Sequence, residues 1–230
     1  MGTRLPGRPT YALQVALFGP AAAALYFIWA DAMRFLNFSA DSYGPYWNAG
    51  GWMLLHVCGG IAAVLLGAWQ FALGLLGRTS QVHRWCGRVY VVAVLVSCCA
   101  SFVVLAHGSA IGSGFAALVR VLALYTLAFT GLGLLAIRRG DRLAHREWMV
   151  RSYMGVMVFG FFRGAVETSL LSELPFAERF TALMGLTMSI ALAGTELLIQ
   201  LTLKPAPGPR DDGATPSRLE RLRAAHSHEQ

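Results

Sequence analysis

Four histidines, His56, His83, His107 and His145, stand in or beside long apolar stretches, and two of them open closely similar motifs. One reads His83-Arg84-Trp85-Cys86-Gly87-Arg88-Val89-Tyr90. The other reads His145-Arg146-Glu147-Trp148-Met149-Val150-Arg151-Ser152-Tyr153. Both are His-Arg followed by Trp-x-x-Arg-x-Tyr, with Trp, Arg and Tyr offset by 63 residues and His-Arg by 62. Imidazole is an axial ligand of haem iron, and facing helices build such sites. His83 with His145 is therefore one candidate haem b pair and His56 with His107 another, haem iron being the one metal expected. Two haems would be widely spaced, since the 24 residues from His83 to His107 make roughly 36 Å of helix.

Guanidinium groups recognise phosphate and carboxylate. Arg78, Arg84, Arg88, Arg146 and Arg151 surround the two motifs, where helices begin and present unpaired N–H groups. Such a layer suits lipid phosphate, a phosphorylated metabolite or haem propionates. Simple contact with anionic headgroups explains it equally. A second polar set, His56, Arg120, Arg163 and Glu167, falls inside apolar stretches. A charge at the bilayer centre costs roughly 2.5–3.5 kcal/mol on insertion scales. These residues are thus expected to face one another inside a bundle, with Glu167 placed to pair with Arg163 one turn before it. Glu196 is a further charge with no evident partner in the sequence.

The elements that must position these groups are membrane-spanning helices. The chain has 230 residues, 56% hydrophobic and 13% charged, whereas soluble domains carry about 25% charged residues. That apolar surplus needs the bilayer as a second solvent. Six apolar blocks cover about 11–30, 51–76, 89–107, 115–137, 148–171 and 181–203, each near the ~20 residues that cross the hydrocarbon as a helix. The expectation is an all-α integral membrane bundle of six transmembrane helices over residues 1–203, with a flexible cytoplasmic tail over 204–230. Helices two–three and four–five, each hairpin carrying one motif, suggest an internal repeat about an axis along the membrane normal. Trp, Tyr and Arg are also generic interfacial residues, so chance gives a rival account.

Basic residues alternate between connections: Arg4 and Arg8, then Arg78, Arg84 and Arg88, then Arg138 to Arg151, then the C-terminal tail. The positive-inside rule places these segments, and so both termini, in the cytoplasm of a cell whose inner (plasma) membrane the protein spans. The first block is expected to be an uncleaved anchor kinked at Pro20, being longer than a usual signal-peptide core. After Leu203, Pro205, Pro207 and Pro209 mark a linker, and Ser217 to Glu220 fits a capping box. The net charge of +7 lies between apolar blocks and not on an aromatic-interleaved stripe, so no nucleic-acid partner is expected. Cys58, Cys86, Cys98 and Cys99 form no CxxC pair and read as small hydrophobes, Cys86 in a loop. Gly160-x-x-x-Gly164 suits close helix packing.

The residues from His56 and Gln70 through Arg78 and the two motifs to Arg163 resemble the bacterial membrane proteins classed as domain of unknown function 2306. The resemblance covers roughly residues 50–165. It implies a multi-pass membrane protein and carries no activity. His107 is not part of that pattern.

Three functions remain open at this level. One is haem b binding with membrane electron transfer through His83, His145, His56 and His107. Another is binding or transport of an anion or lipid at the arginine layers. The third is a non-catalytic assembly or interaction role. The lipid bilayer is the expected partner, and a homodimer would supply further helices. No serine nucleophile motif, Walker loop or HExxH is present.

Overall fold

The computed structural model describes residues 32–75 and 81–202, with Ala22 and Tyr26 besides. Apart from Ala22 and Tyr26, the first apolar block lies outside the described residues, as do Arg78 and the C-terminal tail. Five long helices follow one another: α1 (Gly50–Leu75), α2 (Gln81–Ala106), α3 (Ser113–Arg138), α4 (Arg142–Val166) and α5 (Phe176–Thr202). No strand occurs among the described residues. Connections this short force neighbouring helices antiparallel.

Four of the five helical stretches, all but α4, are long and apolar enough to cross a membrane. α4 carries Arg151 and Arg163 and falls short on composition, although its 25 residues give it the length. Its surroundings explain this. α4 packs against α1, α3 and α5, and from Glu147 to Val166 only Phe159 is exposed. A helix shielded by its neighbours can carry polar side chains that a lipid-facing helix cannot.

Two helices begin earlier than the apolar blocks suggest. α2 opens at Gln81 and α4 at Arg142, so His83, Arg84, Cys86 and His145 are helical and not in loops. The reason for α4 is local. Gly140 turns the chain at φ +80°, and the Asp141 carboxylate accepts from Ala144 N–H at 2.9 Å, an N-cap that starts the helix two turns before its first apolar run. Apolar blocks mark the hydrocarbon, whereas caps mark the helix.

The core has two centres, and α4 belongs to both. One gathers Val64, Tyr90, Val94, Tyr153 and Met157. The other gathers Phe115, Leu122, Val158, Phe162, Leu183 and Met184. Small residues allow the close approaches. A Cβ on Gly59 would meet the α2 backbone at Ala93 O, 2.9 Å away, and one on Gly67 would collide with the Tyr153 ring.

Polar groups inside this core are satisfied in a defined direction. Thr130 Oγ donates to Thr126 O at 2.7 Å. It therefore accepts from Ser152 Oγ at 2.7 Å, which in turn accepts from Tyr90 Oη at 2.9 Å. The chain of bonds ends on a backbone carbonyl, so it ties α2, α3 and α4 together without leading a proton anywhere. Tyr153 Oη donates to Val64 O at 3.2 Å, joining α4 to α1.

Ahead of α1 run a 3₁₀ turn (Met33–Asn37), one α turn (Ala40–Tyr43) and a second 3₁₀ turn (Gly44–Ala49). Tyr43 pins this segment, its hydroxyl donating to Phe35 O at 2.6 Å and its ring meeting Phe35, Phe38 and Trp47 edge-on.

Candidate functional site: a polar-edged cavity among the spans

A cavity of about 510 Å³ lies between α1, α2, α3 and α4, roofed by the segment before α1 and by Phe176 and Phe180 of α5. Most of its wall is apolar, including Val64, Val94, Leu122 and Phe162. The polar lining is small: Arg34, Tyr46, His56, Ser97, Ser101, Thr126 and Arg163. His56 stands six residues into α1 and Arg163 three residues before the end of α4, roughly 9 Å and 5 Å from those ends at 1.5 Å per residue. The two therefore edge the cavity toward one end of the bundle, with apolar wall deeper in.

His56 is fixed by α2. Its Nδ1 lies 3.0 Å from Ser97 O, and a carbonyl only accepts, so Nδ1 carries the proton. Ser97 Oγ is 3.1 Å from the same nitrogen and donates to His56 O at 2.9 Å. Ring and hydroxyl thus clamp each other, and Nε2 is the ring nitrogen left for the cavity. The Phe159 ring stands edge-on to the imidazole, 6.3 Å between centroids.

The other members of the intramembrane set do not join this edge. Arg120 is exposed and donates to Leu105 O at 3.2 Å. Glu167 is exposed just past α4, its N–H donating to Arg163 O. His107 is exposed at the end of α2, its Nδ1 on Val103 O one turn back. Of the expected cluster, the structure brings His56 and Arg163 to one cavity and leaves Arg120 and Glu167 outside its wall.

The opposite end of the bundle holds the motif residues. Arg84 and Arg146 are exposed, and Arg88 is exposed with its guanidinium 4.7 Å over the Trp85 ring. Arg151 is different: it is 9% exposed and meets Glu196 bidentately, Nε–Oε2 3.0 Å and Nη2–Oε1 2.9 Å. Glu147 adds a contact at 3.6 Å, and the guanidinium stacks over Trp148. Glu196, solitary in the sequence, thus has Arg151 as its partner. No periodic signal marks a pair 45 residues apart.

His83 and His145 come within electrostatic range of each other. Gln70 donates to His83 O at 2.7 Å, and His145 Nδ1 donates to Gly133 O at 2.8 Å. His83 Nδ1 is buried and has no hydrogen-bond partner among the described residues.

With this geometry in hand, known proteins offer one match. The family described as Predicted membrane protein (DUF2306) covers residues 53–199, from the start of α1 to the last turns of α5. The chain belongs to this family. It is a multi-pass membrane protein. No curated protein and no solved structure matches it. The family region contains His56, both motifs, Arg163 and the Arg151–Glu196 pair, so the cavity wall and the polar end are both built largely from family sequence. A chamber that is mostly apolar with a few convergent polar groups suits an amphipathic small molecule. The motif end, packed around an ion pair, suits helix positioning.

Proposed function

We propose that this DUF2306 protein binds an amphipathic, lipid-like molecule in the cavity between α1 and α4. The supporting observation is the gradient along the cavity, from His56 and Arg163 at one edge to an apolar interior. The polar end of the ligand sits at His56 and Arg163, and its apolar body lies among Val64, Val94 and Phe162. The exposed arginines at the other end, Arg84, Arg88 and Arg146 among them, support a cytoplasmic placement of that end in the plasma membrane.

The test is photolabelling with a diazirine-bearing alkyl alcohol in nanodiscs, mapped by peptide mass spectrometry. Label is expected on cavity residues such as Val64 and Phe159. Gly60 lines the cavity, and a Cβ there would meet only ordinary contact with Ser97 Oγ at 3.6 Å. Gly60→Phe should therefore fill the chamber and abolish that label. Unchanged labelling in a folded Gly60→Phe protein rules the reading out.

A second reading, haem b between His83 and His145, has its own support. Metal-ligating histidines usually donate the second ring nitrogen to a carbonyl, as His145 does to Gly133 O, and the unpaired His83 Nδ1 would gain a partner. A reduced-minus-oxidised visible spectrum with a Soret band lost in His145→Ala would support it. A colourless, monodisperse protein purified after growth with ample haem would end it.

A further inference from the structure

The hydrogen-bonding state of the cavity wall says what kind of head group it takes, an inference that rests on the amphiphile reading above. His56 Nδ1–H is committed to Ser97 O. Ser97 Oγ–H goes to His56 O at 2.9 Å, and Ser101 Oγ–H to Cys98 O at 2.7 Å. Thr126 Oγ–H goes to Leu122 O at 2.8 Å. A hydroxyl has one proton and a neutral imidazole one N–H. His56, Ser97, Ser101 and Thr126, with their protons committed to the backbone, consequently offer acceptors, Nε2 and three hydroxyl oxygens. Arg34, Tyr46 and Arg163 complete the polar lining.

A simple ester has no donor to offer these acceptors. A head group bearing at least one hydroxyl satisfies them. We infer that the cavity selects a hydroxyl-bearing amphiphile over one that has no donor, with His56 Nε2 accepting the ligand hydroxyl. His56 is in this scheme a specificity-determining residue, and Ser97 positions it.

Two probes that share one acyl chain separate the alternatives: monolaurin with free hydroxyls and methyl laurate with none. Each competes against the diazirine label in the full-length protein in nanodiscs. Monolaurin should protect the cavity at about tenfold lower concentration than methyl laurate, the effect of one satisfied hydrogen bond against one left unmade. His56→Asn retains a donor near the Nδ1 position for Ser97 and removes the Nε2 acceptor. In that variant the monolaurin advantage should vanish, and the label, itself an alcohol, should need a higher concentration to reach the same cavity residues, while monodispersity persists. Equal or better protection by methyl laurate in the wild type overturns the inference, as does an undiminished monolaurin advantage in His56→Asn. Either result leaves amphiphile binding standing. Absence of cavity labelling in the wild type overturns both.

Discussion

The two ends of the bundle treat their polar side chains in opposite ways. At the His56 end, imidazole and hydroxyl protons go to backbone carbonyls, and these side chains line an open chamber. At the motif end, the enclosed Arg151 and the half-exposed Glu196 take each other, with Glu147 and Trp148 alongside. Both ends use α4, which carries Arg151 nine residues after its start and Arg163 three before its finish. Two arginines on one helix thus have different work, and the neighbours decide which. Arg151 is met by a carboxylate from α5 and joins two helices, whereas Arg163 borders the cavity.

That contrast breaks most visibly at Glu196. Removing the Glu196 carboxylate leaves the enclosed Arg151 with only the 3.6 Å contact to Glu147, a loss of at most about 3 kcal/mol, the low end for breaking a buried pair. The sides are unequal: Arg151 has 11% of its side chain exposed and Glu196 has 49%. Glu196→Leu, which strands the enclosed arginine, should lower the unfolding temperature in detergent substantially. Arg151→Met with Glu196→Leu should recover most of the loss, because an apolar pair of similar volume replaces the ion pair. A double variant no more stable than Glu196→Leu would show that the pair has no such role. In neither variant should the hydroxyl preference of the cavity change.

The sequence carried the helices better than the sites, for physical reasons. Apolar runs long enough for the hydrocarbon marked α1, α2, α3 and α5, and the run at 148–171 marked α4 as well. The enclosed position of α4 was not visible, since its composition shows only that it is less apolar. Boundaries at Gln81 and Arg142 were missed because the Asp141 cap and the helical turns beyond the hydrocarbon leave no mark on hydropathy. His56 and Arg163 were recognisable as costly intramembrane polar groups. That Arg120 would turn outward, and that a chamber would open beside the other two, depends on side-chain packing among four helices. The tie between Arg151 and Glu196 depends on how α5 lies against α4, which no local pattern encodes.

A smaller effect probes the fit between α1 and α4. Gly67 lies against the Tyr153 ring, with no space for a Cβ. Gly67→Ala should cost about 2 kcal/mol, in the range for overpacking a close-packed core. Pairing it with Tyr153→Leu should restore part of that, since the smaller side chain yields the space. Thermal unfolding of the single and double variants measures both. A Gly67→Ala protein as stable as the wild type would mean that α1 and α4 can part without penalty at this point.

The smallest effect concerns the bonds that run from Tyr90 through Ser152 to Thr130. Ser152 is fully buried, and Tyr90 is 1% exposed. Ser152→Ala removes the acceptor of the Tyr90 hydroxyl and leaves that donor unpaired, a cost of about 1 kcal/mol, the low end for a buried group left without its bond. Pairing it with Tyr90→Phe takes away both unpaired groups and should be closer to neutral than Ser152→Ala alone. Because the bonds end on Thr126 O, neither variant should alter any proton-linked behaviour of the protein. Thr126 also lines the cavity, yet its own hydroxyl proton goes to Leu122 O and not into this chain of bonds. The hydroxyl selectivity set by His56 should consequently survive both substitutions. If it fell with Ser152→Ala, the two ends would be coupled through α3, and the separation between the joint and the binding chamber would not hold.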